Sequence, residues 1–122
     1  MNPTLAPQAY KESAVLTASP EQLVVMLYDG IRRFLHQATV AMRDGEIEAC
    51  NNRLQRAEAI IDELNSTLDM SVGEVSERLR ALYTFSRRHL MQARIKRSPE
   101  MIEEAANVLD TLGDAWREIA GA

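Results

Sequence analysis

Four prolines and five glycines in 122 residues leave this chain little with which to interrupt a helix, and nowhere do polar and apolar residues alternate over the length of a strand. These scarcities predict an all-α fold. Cysteine occurs once, at Cys50, so there is no internal disulfide framework. With no basic leader, short apolar run and cleavage site at the start, the sequence points to a reducing, cytoplasmic setting. Long apolar runs are missing as well. The longest, residues 23–28, falls far short of the roughly 20 residues that cross a bilayer, which predicts no membrane insertion. Basic residues are outnumbered, 14 against 18 acidic for a net charge of −4. That balance disfavours nucleic acid, because neutralising phosphates supplies most of such affinity.

What is present is helical periodicity, four times over. A chain of this length buries roughly two-thirds of the surface it exposes when unfolded, enough for one domain without metal or disulfide. The first helix is marked at Ser19-Pro20-Glu21-Gln22, where a serine cap, a proline at the first helical position and a glutamine three residues after the cap together fix the start. Leu23, Leu27, Ile31 and Phe34 recur as its buried face. Val24, Val25, Met26 and Tyr28 are apolar too, so the first two turns are hydrophobic nearly all round and some further segment must cover them. The second helix carries Ile47, Cys50, Leu54, Ala57, Ile61, Leu64 and Leu68, a repeat of about 3.5 residues that suits a bundle seam. In the third, Ser71 is expected to cap and Glu74 to close a capping box ahead of Val75, Leu79, Leu82, Ser86, Leu90 and Ala93. The fourth opens Ser98-Pro99-Glu100 and continues Ile102, Ala105, Leu109, Leu112, Trp116 and Ile119.

Helices of about 20 residues joined by very short links must lie antiparallel to their neighbours, which predicts an up-down-up-down four-helix bundle over residues 19–122. Residues 1–18, with Pro3 and Pro7 and no early periodicity, read as an N-terminal arm or as a disordered tail. Tyr10, Val15 and Leu16 are its apolar anchors, placed to fold over the over-hydrophobic start of the first helix.

Catalytic patterns are absent at the residues that would carry them. Di-iron bundles need Glu-x-x-His on two helices, whereas His36 and His89 are preceded at three residues by Arg33 and Ser86. Covalent haem needs two cysteines. A phosphotransfer histidine is followed about a turn later by lysine and glycine, and neither His36 nor His89 is so followed. The acids Glu100, Glu103 and Glu104 read as dipole complement and solvated face, and Cys50 as a small core residue. Arg87, Arg88, Arg94, Lys96 and Arg97 cluster where the third helix should end and favour the negative pole of its dipole. No catalytic residue, metal site or cofactor is expected.

Residues 17–23, Thr-Ala-Ser-Pro-Glu-Gln-Leu, followed by Met26-Leu27-Tyr28-Asp29-Gly30, resemble the signature of the flagellar secretion chaperones, the FliS family. Ile60-Ile61-Asp62-Glu63-Leu64 with Ser66-Thr67-Leu68-Asp69 is similar to the end of that family's second helix, and Leu82-Tyr83 with Arg87-Arg88 to its third. Likeness extends from Tyr10 to Trp116, with one departure: after Asp-Gly, where the family usually has a small and then an apolar residue, stand Ile31 and Arg32.

The resemblance implies a non-enzymatic cytosolic chaperone that binds the disordered C-terminal segment of flagellin, blocks its premature polymerisation and helps deliver it to the flagellar type III export apparatus. It also implies contacts with the export gate and, in some members, with an anti-sigma factor. A regulatory or phosphotransfer-like bundle is the alternative. An unfolded client with amphipathic stretches lays its apolar faces into hydrophobic grooves, folding as it binds. Candidate groove residues are Val24, Tyr28, Ile60, Tyr83, Met91 and Val108, each equally readable as core. By the same resemblance the arm, through Tyr10, Val15 and Leu16, lies over part of the client surface and moves when the client arrives. Exposed apolar surface leaves homodimerisation open.

Overall fold

The computed structural model describes residues 16–121. Four helices account for nearly all of them: α1 (Pro20–Arg43), α2 (Ile47–Ser66), α3 (Glu74–Lys96) and α4 (Pro99–Gly121), with a 3-10 turn, Met70–Val72, before α3. The α1 start is the expected capping box. Gln22 N–H donates to Ser19 Oγ at 3.1 Å, and Ser19 N–H donates to Gln22 Oε1 at 2.8 Å, with Pro20 in the first turn. At α4, Met101 N–H donates to Ser98 Oγ at 3.2 Å, so two orphan donors are satisfied where the sequence placed their acceptors.

The start of α3 differs from expectation. Ser71 does not cap it; Ser71 N–H and Oγ–H both donate to Asp69 Oδ1, at 3.0 and 2.5 Å, closing the 3-10 turn instead. Gly73 follows at φ 89° and ψ −130°, backbone that side-chain-bearing residues rarely adopt. A box spanning residues 71–74 would need continuous helical backbone there, so α3 starts afresh at Glu74 with no side-chain cap.

Each helix packs against two others: α1 against α2 and α4, α3 against α2 and α4. The four therefore close into a ring, with α1 the most and α3 the least tightly held. Rising numbers on α1 meet falling numbers on α4, as Asp29–Arg117, Arg32–Asp110 and Arg43–Glu103 pairs record, which is the antiparallel arrangement that short links impose. Ile31, Leu35, Leu54, Ile61, Leu90, Ile102 and Leu109 are sealed in the centre.

The predicted seams of α2, α3 and α4 are each buried over much of their length and exposed at one end. Ile47, Val75 and Ile119 are exposed rather than packed, because each sits within a residue of its helix start or in its last turn, where a neighbouring helix no longer covers it. Leu23 is likewise exposed at 38 %, and Leu27 and Phe34 only half-buried, so of the predicted α1 face only Ile31 is fully buried, and the helix is turned to reach the core through Tyr28, Leu35 and Ala38 beside it.

Candidate functional site

No group of three His, Cys, Asp or Glu side chains among the described residues could hold a metal ion. Cys50 is buried, and burial pushes its thiol pKa up against the smaller opposing pull of Arg94, which is the setting of an inert core thiol. No described helix is long and apolar enough to cross a membrane.

What distinguishes the bundle is that its four helix-helix flanks differ in chemistry. The α1–α4 flank is laced by ion pairs: Arg32 with Asp110 at 3.0 Å and Asp114 at 3.4 Å, Arg43 with Glu103 at 2.7 Å, Arg117 with Asp29 at 2.9 Å. The α2–α3 flank is closed by Glu58, whose carboxylate accepts from both Arg87 and Arg94 while Arg87 also reaches Asp62 at 2.9 Å. Two of the five cations in the basic cluster at the end of α3 are thus committed across the interface, not only to the helix dipole. On the α1–α2 flank three arginines have no carboxylate partner among the described residues.

The α3–α4 flank is apolar. His89 Nε2 lies 3.1 Å from Glu104 Oε2, which sets the register between these helices; one turn before His89 stands Phe85 and one turn after Glu104 stands Val108. Continuing outward in antiparallel order brings Leu82, Leu79 and Val75 of α3 beside Leu112, Ala115 and Ile119 of α4. Phe85 is 46 % exposed and stacks on His89 with ring centroids 5.0 Å apart. Leu79, Leu82, Val108 and Leu112 are half-buried, and Val75 and Ile119 exposed. Only two apolar residues larger than alanine on α3, Tyr83 and Leu90, are fully committed to the core; Ser76, Ser86 and Ala93 fill the rest of its inner face. Outward, α3 adds Met91 and Ile95, and the preceding turn Met70 and Val72.

The predicted groove residues scatter. Tyr28 and Tyr83 are not on the surface: both rings are buried and their hydroxyls meet at 2.6 Å. Both phenol pKa values are raised, chiefly because burial disfavours the phenolate. Each tyrosine stands at the edge of its seam by spacing, but a ring can turn inward when a partner hydroxyl awaits it, and that pairing across 55 residues leaves no local signal. Ile60 is half-buried toward α1, its Cδ1 3.1 Å from where a Cβ on Gly30 would sit. Val24 is half-buried on α1. Val108 lies on the apolar flank, and Met91 is exposed on α3 at 55 %. Of the predicted arm anchors, Tyr10 and Val15 lie outside the described residues, and Leu16 is exposed. Beside it a cleft of about 460 Å³ opens between the first turns of α1 and the end of α4, lined by Thr17, Gln22, Val25, Met26 and Arg117 among others. Phe85 and Leu112 were missed by sequence reasoning, which sought grooves beside each seam separately and had no register between α3 and α4.

Within the Met26–Gly30 motif, Asp29 pairs with Arg117 and Gly30 lets α2 approach. The departure at Ile31 and Arg32 is absorbed, Ile31 into the core and Arg32 into the ion-pair ladder.

Residues 3–122 match the family model described as flagellar protein FliS. A flagellar secretion chaperone FliS from Campylobacter jejuni is 39 % identical over 120 residues, spanning 98 % of this chain and 94 % of that protein. Proteins of the same name from Bacillus subtilis and Salmonella typhimurium are each 36 % identical, over 110 residues (90 % of this chain, 82 % of the relative) and 115 residues (93 % and 85 %) respectively. With the family model matched along nearly its whole length and relatives of this identity covered over most of theirs, this four-helix bundle belongs to the flagellar protein FliS family.

Proposed function

We propose that this protein is a non-enzymatic export chaperone of the cytosol that binds the disordered C-terminal segment of flagellin, keeps it from polymerising early and assists its delivery to the flagellar export apparatus. The observation that carries the reading is the α3–α4 flank, where the His89–Glu104 register sets Phe85, Leu82 and Leu79 of α3 alongside Val108, Leu112 and Ile119 of α4, each exposed or half-buried. A client helix with apolar residues at three- and four-residue spacing fills such a strip, and ordering on binding moderates its affinity. Val108 sits within the strip; Met91, two residues past His89, lies round α3 on the side of Arg87 and Arg94, and Val24 and Ile60 lie nearer α1, so a client reaches these three only by wrapping past one flank. Tyr28 and Tyr83 join a client surface only if α3 shifts.

Residues 1–18, with Tyr10, Val15 and Leu16, act in this reading as a cover that gives way to the client. Contacts with the export gate, an anti-sigma factor or a second copy of the chain extend the same reading. A phosphotransfer-like role is not favoured, since the relatives are named chaperones.

The test is calorimetric titration with a peptide of about forty residues from the flagellin C-terminus, followed in parallel by circular dichroism. One-to-one binding with a gain of helix and a negative heat-capacity change is expected, weakened by Phe85→Asp and by Val108→Asp. No binding to a folded bundle at tens of micromolar overturns the reading. Deleting residues 1–18 should change the affinity and leave the bundle folded; unchanged affinity counts against the covering role.

A further inference from the structure

The α1–α2 flank lies across the ring from the apolar one. Its centre is Phe34, half-buried, with the Arg33 guanidinium 5.3 Å from the ring centroid and that of Arg56 5.8 Å away. Arg53 stands one turn before Arg56 on α2, beside His36 and Gln37 of α1. Arg32, Arg43, Arg78, Arg87, Arg94 and Arg117 each meet a carboxylate; Arg33, Arg53 and Arg56 meet none among the described residues, as is also true of Arg80, Arg88 and Arg97 on α3 and its end, but only here are such arginines gathered around an aromatic ring.

Arg33 and Arg56 are not simply loose surface cations. A guanidinium lying on an aromatic face uses its π surface there and turns its N–H edge outward, in the fork that matches a carboxylate. Arg56 is fixed further, its Nε donating to Asn52 Oδ1 at 3.2 Å, which leaves its terminal nitrogens unspent. Held donors lose less side-chain entropy on binding than free ones, so a partner meets part of the ordering cost already met.

The acids of this flank lie at its ends. Asp44 and Glu46 sit at the α1–α2 turn beyond Arg53, and Glu63 lies two turns past Arg56 on α2. A long polyanion laid along the flank runs into carboxylates at both ends, as well as a net charge of −4; a short acidic segment fits between them.

We propose that the α1–α2 flank is a second docking surface, taking a short acidic protein segment whose carboxylates, spaced three or four residues apart on a helix, fork onto Arg33, Arg53 and Arg56 around Phe34. Being opposite the α3–α4 flank, it is left open by a client confined to that flank.

The test uses the full chain, ¹⁵N-labelled and free of any client, titrated with a blocked helical peptide of about fifteen residues carrying Glu at every third or fourth position. The same peptide with Gln for Glu and a single-stranded oligothymidylate are titrated in parallel. Amide shifts centred on residues 33–37 and 52–57 are expected with the Glu peptide alone, and the affinity should fall roughly tenfold in Arg33→Gln/Arg56→Gln, as loss of two or three exposed charge pairs implies, but hold in Arg88→Gln on α3. Circular dichroism of each variant guards against misfolding. Shifts centred elsewhere, equal binding of the oligonucleotide, or no shift at millimolar peptide each overturn the proposal.

Discussion

Two buried hydroxyls meet inside the core of this bundle. The Tyr28 and Tyr83 hydroxyls, 2.6 Å apart and buried, satisfy each other, so removing one leaves the other without a partner. Tyr28→Phe or Tyr83→Phe should each cost about 1–3 kcal/mol, and the double variant should recover much of that loss, a coupling that urea denaturation of all four proteins measures. The sign with pH follows from the raised phenol pKa values. Below the ordinary tyrosine value both states are neutral and the stability is fully present; as pH rises above about 10 the unfolded chain ionises first and stability falls. The double Phe variant should lack that alkaline loss. Next to Tyr28 lies a contrast between glycines. A Cβ on Gly113 would come within 3.1 Å of Tyr28 Cβ, which cannot move without its backbone; one on Gly30 would meet Ile60 Cδ1 at 3.1 Å, the free end of a side chain. Ala gains about 1 kcal/mol of helix propensity at either site, so Gly30→Ala should be neutral or stabilising while Gly113→Ala should destabilise by about 1–3 kcal/mol, as thermal melts of the two will separate.

Among the elements, α3 is the one least determined by its own sequence and least held by its neighbours. Its inner face spends two positions on serine, with Ser86 Oγ donating to Leu82 O at 2.9 Å and Ser76 Oγ to Asp69 O at 2.7 Å. A helix so anchored should open before α1, and hydrogen exchange should show α3 amides losing protection first and regaining most when client binds. The helices themselves were legible because apolar spacing and caps are local: Ser19-Pro20 and Ser98-Pro99 delivered their starts. Three things were not. The α3 start depended on Gly73 taking φ 89°, which a capping-box pattern overlooks. The exposure of Ile47, Val75 and Ile119 depended on where adjacent helices end. The apolar flank depended on the α3–α4 register, fixed by packing rather than by either helix alone. The turn itself is open to test through Asp69, whose carboxyl is held below its usual pKa by the Ser71 hydroxyl and amide. A depressed carboxyl pKa stabilises above the unfolded value and is lost as pH falls through the folded one, so the difference in denaturation midpoint between the wild type and Asp69→Asn should shrink in that acid window.

At the scale of the molecule, arginine–carboxylate pairs and apolar surface are sorted around the ring, the His89–Glu104 contact being the one polar link across the apolar flank among the described residues. Cross-helix pairs fill α1–α4 and α2–α3, flanks that are neighbours of both remaining ones, and so they tie each exposed surface to the bundle without occupying it. The apolar flank and the arginine flank then obey different physics. Burying apolar area is nearly indifferent to ionic strength, whereas exposed charges a Debye length of about 8 Å apart at physiological salt are progressively screened. A flagellin peptide held on α3–α4 should keep its affinity within a few-fold between low and high salt, and at a hundred times its Kd should raise the unfolding free energy by about 2.7 kcal/mol, a gain that Phe85→Asp removes and Arg33→Gln/Arg56→Gln leaves. An acidic segment on α1–α2 should weaken steeply over the same salt range and be indifferent to Phe85→Asp. Running both titrations against salt in the two variants makes the faces separable: a flagellin affinity that tracks salt, or that falls with the arginines, would mean the client is held by charge and that the two flanks serve one partner.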